Sequence, residues 1–296
     1  MLRKFRKFLH TGAMALALTS TSLVAQAESV KLAVTDLVGL EELQREFGPF
    51  KAELERASGL SIDFLPVTNR TAALEALRFK KVDFVLAGPA EYVVMHKRAN
   101  ATVVAGLYRP DYYSMIVVKA DSPLFSLQEL KGQRVGMGPV GSTSRQLGPM
   151  QLLADANLDP LKDVSVTNTN LRLAWEGLKR GDLSAMGMGR SDYETFIAQE
   201  PQDQRSAFRV LARSGDLPSD LLMAGEHVPA ETVTSLRKAI VDNSAALINS
   251  ISQGPEQVKR YQGMRFLAAI ADKDYNVVRS MYRTVGYPEF SDFIGE

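Results

Sequence analysis

Cysteine is absent from the 296 residues. That excludes disulfides, thiolate metal ligands, a cysteine nucleophile and lipid attachment through an N-terminal cysteine. Histidine is scarce, at three residues, and tryptophan occurs once. A surplus of one charge is missing too: 35 Lys+Arg stand against 34 Asp+Glu, a formal +1. Nucleic-acid binding calls for a basic surplus on one face, so no nucleic-acid partner is expected. No apolar run reaches the roughly 20 residues that cross a bilayer. What is present is an ordinary globular composition, 45% hydrophobic and 23% charged, long enough for two domains or one large one.

The balanced charge conceals an uneven start. Residues 1–27 carry Arg3, Lys4, Arg6 and Lys7 and no acid, then an apolar run from Gly12 to Leu18, then Ala25-Gln26-Ala27. A basic start, a short apolar stretch and a small-x-small end predict a secretory signal peptide over 1–27. The mature chain would begin at Glu28 with a formal charge of −3 and be exported and soluble.

From Glu28 the pattern alternates short apolar runs with helical ones. Strands are predicted at 30–34, 60–67, 82–87 and 101–107. Between them fall helices over 40–58 (apolar at Leu40, Leu43, Phe47, Phe50 and Leu54, closed by Gly59), from the capping run Thr68-Asn69-Arg70-Thr71 to about 79, and from Pro89 to about 98. The alternation resumes with strands at 112–118, 133–137, 164–166, 183–188, 208–211 and 221–224. Helices are predicted at 126–131, from Ser142 to about 156, and at 171–180 closed by Gly181. The remainder reads as helices over 230–251, 255–262 and 272–284. Such order means an α/β protein with mostly parallel sheets flanked by helices, its ligand cleft at the carboxyl ends of the strands.

Gly138-Pro-Val-Gly141-Ser142-Thr143-Ser144 stands out locally. Its glycines follow a strand and its hydroxyl residues open a helix. The unpaired N–H groups and partial positive charge of a helix start favour an oxyanion there. An ordinary N-cap, which needs a single Ser or Thr, is the plainer alternative. No Gly-Lys-Ser/Thr follows, so this is not a P-loop. Catalysis finds little support. His96 and His227 lack a second histidine or a carboxylate pair at metal-ligand spacing, and no Gly-x-Ser-x-Gly elbow occurs. No catalytic residue, metal or cofactor is expected.

Several blocks taken together resemble the phosphonate/phosphite-binding, PhnD-like periplasmic receptors of ABC transporters. Lys81-Val-Asp-Phe-Val-Leu-Ala-Gly-Pro89 with Tyr92 is similar to that family's Gly-Pro-x-x-Tyr block, and Gly141-Ser-Thr-Ser144 with Pro149 to its oxyanion motif. Tyr112–Val118, Asp121-Ser-Pro123, Leu130-Lys-Gly132, Leu211–Pro218 and Asp272-Lys-Asp-Tyr275 resemble further blocks in the same order.

The resemblance implies a type II periplasmic binding fold of two lobes. Residues 28–115 plus 217–296 would form the first and 116–216 the second, with crossings near Tyr113–Val117 and Ala212–Ser219. It implies a periplasmic monomer without enzymatic activity that closes on a phosphonate or phosphite and passes it to an ABC permease. The alternative is a ligand-sensing subunit of the same fold partnering a membrane histidine kinase.

Ser142, Thr143 and Ser144 would hold the oxyanion from the second lobe and Tyr92 would donate from the first, with Tyr113 at the crossing. Two departures bear on the ligand. Ala90 stands where relatives carry a bulky aromatic, and Gly187 and Gly189 fall where a cleft aspartate is expected. Arg190 either adds a bidentate contact to the anion or lies on the surface. Asn170 either caps the 171–180 helix or touches ligand. Glu91 either turns inward, as partner to an ammonium group, or faces solvent.

Overall fold

The computed structural model describes residues 29–35, 39–254 and 263–291. The expected signal peptide and the helix expected over 255–262 lie outside the described residues. Two sheets divide the rest. The first contains β1 (Ser29–Val34), β2 (Ser61–Phe64), β3 (Phe84–Ala87), β4 (Thr102–Tyr108), β10 (Asp220–Ala224) and β11 (Arg265–Leu267), in the order β11-β4-β10-β3-β1-β2. The second contains β5 (Tyr113–Lys119), β6 (Arg134–Met137), β7 (Ser165–Asn168), β8 (Ala185–Gly189) and β9 (Phe208–Asp216), in the order β7-β6-β8-β5-β9.

Each sheet has a parallel core, β2-β1-β3 in one and β7-β6-β8 in the other, as the alternation predicts. Each also receives one antiparallel strand beside that core. β10 lies between β3 and β4, and β5 lies between β8 and β9. Both inserted strands are the first formed after the chain changes sheet, at 109–112 and again at 217–219. Residues 113–115, expected in the first lobe, therefore belong to the second sheet. β8 and β10 are buried along their whole length, because both faces of these central strands are covered.

The helices are α1 (Leu40–Ser58), α2 (Arg70–Arg78), α3 (Pro89–Ala99), α4 (Gly148–Asp155), α5 (Leu171–Arg180), α6 (Arg190–Gln199), α7 (Ala230–Asp242), α8 (Ser244–Ile251) and α9 (Asn276–Thr284). In α1 the apolar positions Leu43, Phe47, Phe50 and Leu54 bury against the first sheet, and Gly59 ends the helix in the left-handed region at φ 75°. The 230–251 run breaks at Asn243, and the expected 272–284 helix opens with a 3₁₀ turn over Asp272–Tyr275. β11 is a strand that apolar periodicity did not signal. Its three residues are too few to show a period. α9 lies on the seam between lobes: Tyr282 donates to the Ala90 carbonyl (3.0 Å) and Thr284 to the Gln151 side chain (2.6 Å). Among the described residues no helix is long and apolar enough to cross a membrane.

Candidate functional site

The cleft lies where the strand ends of the two sheets face each other. From the first sheet come Thr35 after β1 and Gly88–Glu91 after β3. The second contributes Ser142–Arg145 after β6 and Asp192 after β8, and the crossings supply Arg109, Tyr112 and Asp220. Its empty space is about 500 Å³, the open mouth included.

The hydroxyl triplet opens a helix, as expected, but a widened one. Residues Thr143–Leu147 form a π turn that runs into α4, with the Leu147 N–H donating to the Ser142 carbonyl (3.0 Å). Gly148 permits this turn: a Cβ there would lie 2.0 Å from the Oγ of Ser114 on β5. Ser142, Thr143 and Ser144 are all buried at the cleft. The backbone N–H groups of this first turn have no acceptor within the helix, and the helix dipole adds positive potential. Thr143 also joins the lobes, since its Oγ1 accepts from the Ala90 N–H across the cleft at 3.0 Å. Tyr112 hydrogen-bonds Ser144, and burial of its ring raises the phenol pKa, so the hydroxyl stays protonated.

Around the helix start stand three guanidinium–carboxylate pairs. Arg70 Nε donates to Glu91 Oε1 at 2.7 Å, and Thr35 Oγ1 donates to the same oxygen at 3.2 Å. Arg145 forks onto Asp192 with bonds of 2.9 and 2.8 Å. Arg109 Nη1 reaches both Asp220 oxygens, at 3.4 and 3.2 Å, and its guanidinium lies 3.7 Å from the Tyr112 ring centroid. The side chains of Arg109 and Asp220 are only 9% and 7% exposed. Every arginine at this cleft thus brings its own acid. The arrangement gives the cleft strong directional donors without a large excess of charge, and an oxyanion at the helix start would lie among guanidinium groups already held by carboxylates.

The structure gathers some of the expected residues and disperses others. Ser142, Thr143, Ser144 and Glu91 meet at the cleft, with Glu91 turned inward and its side chain 5% exposed. The Tyr92 hydroxyl does not reach it. It donates to Asp272 at 2.5 Å while the ring packs on Tyr275 and His96. Glu91 and Tyr92 are neighbours on α3, so one helical step of about 100° puts them on different faces. Tyr113 lies outside the cleft, its ring beneath Arg213 at 4.5 Å. The neighbouring Tyr112 points in instead, as successive residues entering a strand must alternate. Arg190 is on the surface alternative, paired with Asp111 (2.7 Å) and Glu194 (2.7 Å). Asn170 caps α5, accepting from the Arg172 N–H at 2.8 Å, and lies in an opening next to the cleft.

Five charged residues at the cleft were not singled out from the sequence: Arg70, Arg109, Arg145, Asp192 and Asp220. Asp192 also corrects the missing acid. A Cβ on Gly189 would lie 2.9 Å from Ser144 Oγ and 3.2 Å from Asp192 Oδ2. The carboxylate therefore comes over the glycine from the first turn of α6 instead of from the strand end. Gly187, two residues earlier on the same face of β8, would put its Cβ against Met137 and Pro149 and not at the cleft.

Comparison with known proteins agrees with this architecture. The model of the ABC-transporter phosphonate periplasmic substrate-binding protein family matches residues 39–275. The phosphonates-binding periplasmic protein of Escherichia coli is 26% identical over 132 residues, which span 42% of this chain and 39% of that protein. Among solved structures, PhnD1 of Prochlorococcus marinus in complex with methylphosphonate superposes with a TM-score of 0.70 at 20% identity, covering 88% of this chain and 99% of that one. A binding-protein component of an ABC phosphonate transporter from Pseudomonas aeruginosa has a TM-score of 0.70 at 18% identity, covering 90% of each chain. These structural likenesses carry the fold. Nothing among them supports the sensor alternative, and a family match over most of the sequence settles kinship: the chain belongs to the phosphonate-binding periplasmic substrate-binding proteins of ABC transporters.

Proposed function

We propose that this protein is a periplasmic receptor that captures a small phosphorus oxyanion, a phosphonate or phosphite, between its lobes and hands it to an ABC permease as a monomer. No covalent chemistry is involved. The observation that carries this reading is the buried Ser142–Ser144 helix start, open to the cleft and ringed by Arg70, Arg109 and Arg145. Ser142, Thr143 and Ser144 hold the oxygens through hydroxyl and N–H donors, and Tyr112 donates beside them. Glu91 acts through Arg70, whose guanidinium it orients. Tyr92, Tyr113 and Arg190 hold the frame and take no ligand contact. The methylphosphonate in the P. marinus protein supports the choice of ligand class.

Lobe closure excludes water, which strengthens each charge-assisted bond. Binding therefore draws the open and closed forms toward the closed one.

Thermal unfolding against phosphate, phosphite, methylphosphonate, sulfate and acetate tests the reading. A ligand at 100 times its Kd adds about 2.7 kcal/mol. For a chain of this size that raises Tm by several degrees, at roughly 2–4 °C per kcal/mol. A shift with a phosphorus oxyanion that disappears in Ser142→Ala/Ser144→Ala is the expected result. Absence of any shift across the panel would overturn the reading.

A further inference from the structure

The cleft backs onto a second space. This is a groove of about 910 Å³ with its open side included, running between α2, α3 and α9 on one side and residues 140–147 of the second lobe on the other. Its walls are largely apolar, with Leu74, Val94, Met95, Leu147, Tyr282 and Val285 among them. Among the described residues, Arg70 and Glu91 alone border both the cleft and the groove.

These two side chains form the partition. Arg70 Nε donates to Glu91 Oε1 at 2.7 Å, Thr35 Oγ1 donates to the same oxygen at 3.2 Å, and the pair is 17% and 5% exposed. The stem of Arg70 reaches the second lobe, where a Cβ on Gly141 would lie 3.6 Å from its Cδ. Beside the pair, the Ala90 N–H donates to Thr143 Oγ1 across the lobes and the Ala90 carbonyl accepts from Tyr282. Ala90 itself is buried and lines neither space, so its small side chain leaves the cleft no wider.

An alkyl chain on a phosphonate held at Ser142–Ser144 would gain from the groove. Each buried methylene is worth about fourfold in affinity, so three are worth roughly sixtyfold. To enter, however, the chain must part a charge pair that is largely shielded from water, and leaving such a charge unpaired costs a factor of roughly a few hundred or more. The partition outweighs the gain.

We propose that the Arg70–Glu91 pair sets the size of the ligand: it shuts the apolar groove off from the cleft, and the receptor takes phosphonates no bulkier than methylphosphonate. The inference rests on the receptor reading above and specifies its substrate class. Glu91 acts here as a positioning residue, through its bulk and its bond to Arg70.

Calorimetric titration of the protein with methylphosphonate and butylphosphonate tests it. The wild-type chain should bind butylphosphonate more weakly than methylphosphonate, by about tenfold or more. Glu91→Ala opens the partition and should raise the affinity for butylphosphonate relative to methylphosphonate by about tenfold or more. Glu91→Gln keeps the side chain's length and an acceptor for Arg70, and should leave that ratio within about twofold of wild type. Val94→Trp, which fills the groove, should cancel the gain in the Glu91→Ala background. The wild-type comparison stands whether or not Glu91→Ala folds. Equal or tighter binding of butylphosphonate by the wild-type chain would overturn the proposal, and so would a ratio that Glu91→Ala leaves unmoved or that Glu91→Gln raises equally. A gain that survives Val94→Trp would overturn it too, because the chain would then lie in the opening by Asn170 and Arg172. Binding of neither phosphonate would sink the receptor reading itself, and this inference with it.

Discussion

At the scale of single residues the molecule separates polar groups that line the cleft from polar groups whose bonds lie elsewhere in the frame. Tyr92 belongs to the second kind. Burial pushes the Asp272 carboxyl up, but hydrogen bonds from Arg279 and Tyr92 outweigh it and hold the pKa below the ordinary value of 3.8. Arg279 is itself buried, donating to Asp272 Oδ1 at 2.7 Å. A carboxyl whose pKa is lower folded than unfolded stabilises the fold above its unfolded pKa, and that contribution is lost as pH falls through the depressed value. Acid unfolding should therefore steepen below about pH 4. Asp272→Asn is expected to lower Tm at pH 7 and to flatten that acid limb, as followed by circular dichroism. An unchanged limb would mean that other carboxylates govern it.

Residue identity was legible in the sequence where one short segment contained the whole device. Ser142–Ser144 formed such a segment, and so did Asn170, which caps its own helix. The ion pairs were not, because their partners are far apart in the chain. Arg70 finds Glu91 across α2 and α3, Arg145 finds Asp192 across the second lobe, and Arg109 finds Asp220 through two separate crossings. One signal was available: a strand reverses its side chains at each step, and that would have favoured either Tyr112 or Tyr113 over the pair.

At the scale of elements, apolar periodicity located the long helices well and the sheet neighbours poorly. α1 with Gly59 and α5 with Gly181 carry both their period and their stop signal within one segment. β10 looks like any buried strand, and nothing local says that it runs antiparallel between β3 and β4. The π turn at Thr143 was equally hidden, since the close contact beside it comes from β5. Ser114 occupies the space next to Gly148, and the helix opens with five-residue spacing around it. Gly148→Ala forces a Cβ into that contact and should cost about 1–3 kcal/mol, the usual range for overpacking. Ser114→Ala in the same background should recover part of the loss, because it removes the nearest atom. Urea unfolding of the two variants measures both effects, and additive losses would show that the two sites do not share the space.

At the scale of the whole molecule, two lobes are tied by two crossings, and the crossings are tied to each other. Arg109 belongs to the first and Asp220 follows the second, and the pair is nearly sealed from water. Removing one member of such a pair leaves a buried charge unpaired, at a cost of about 3–5 kcal/mol. Arg109→Met should therefore destabilise strongly, while Arg109→Met with Asp220→Leu should recover most of the loss. Thermal unfolding decides it: a double variant as unstable as the single one would mean that packing on Tyr112, not charge, is what Arg109 contributes.

That pair also forms part of the floor of the cleft, which gives it a second consequence. In most hinged devices the load is applied at the rim and the pivot only follows. Here the joint itself borders the cavity, although little of it reaches solvent. On the proposed reading, an anion that drew Arg109 away from Asp220 would act where the two crossings meet, and a small displacement there would become a larger one at the outer edges of both lobes. Sensitivity to the charge of what the cleft holds would then reside in the joint, with no separate latch required.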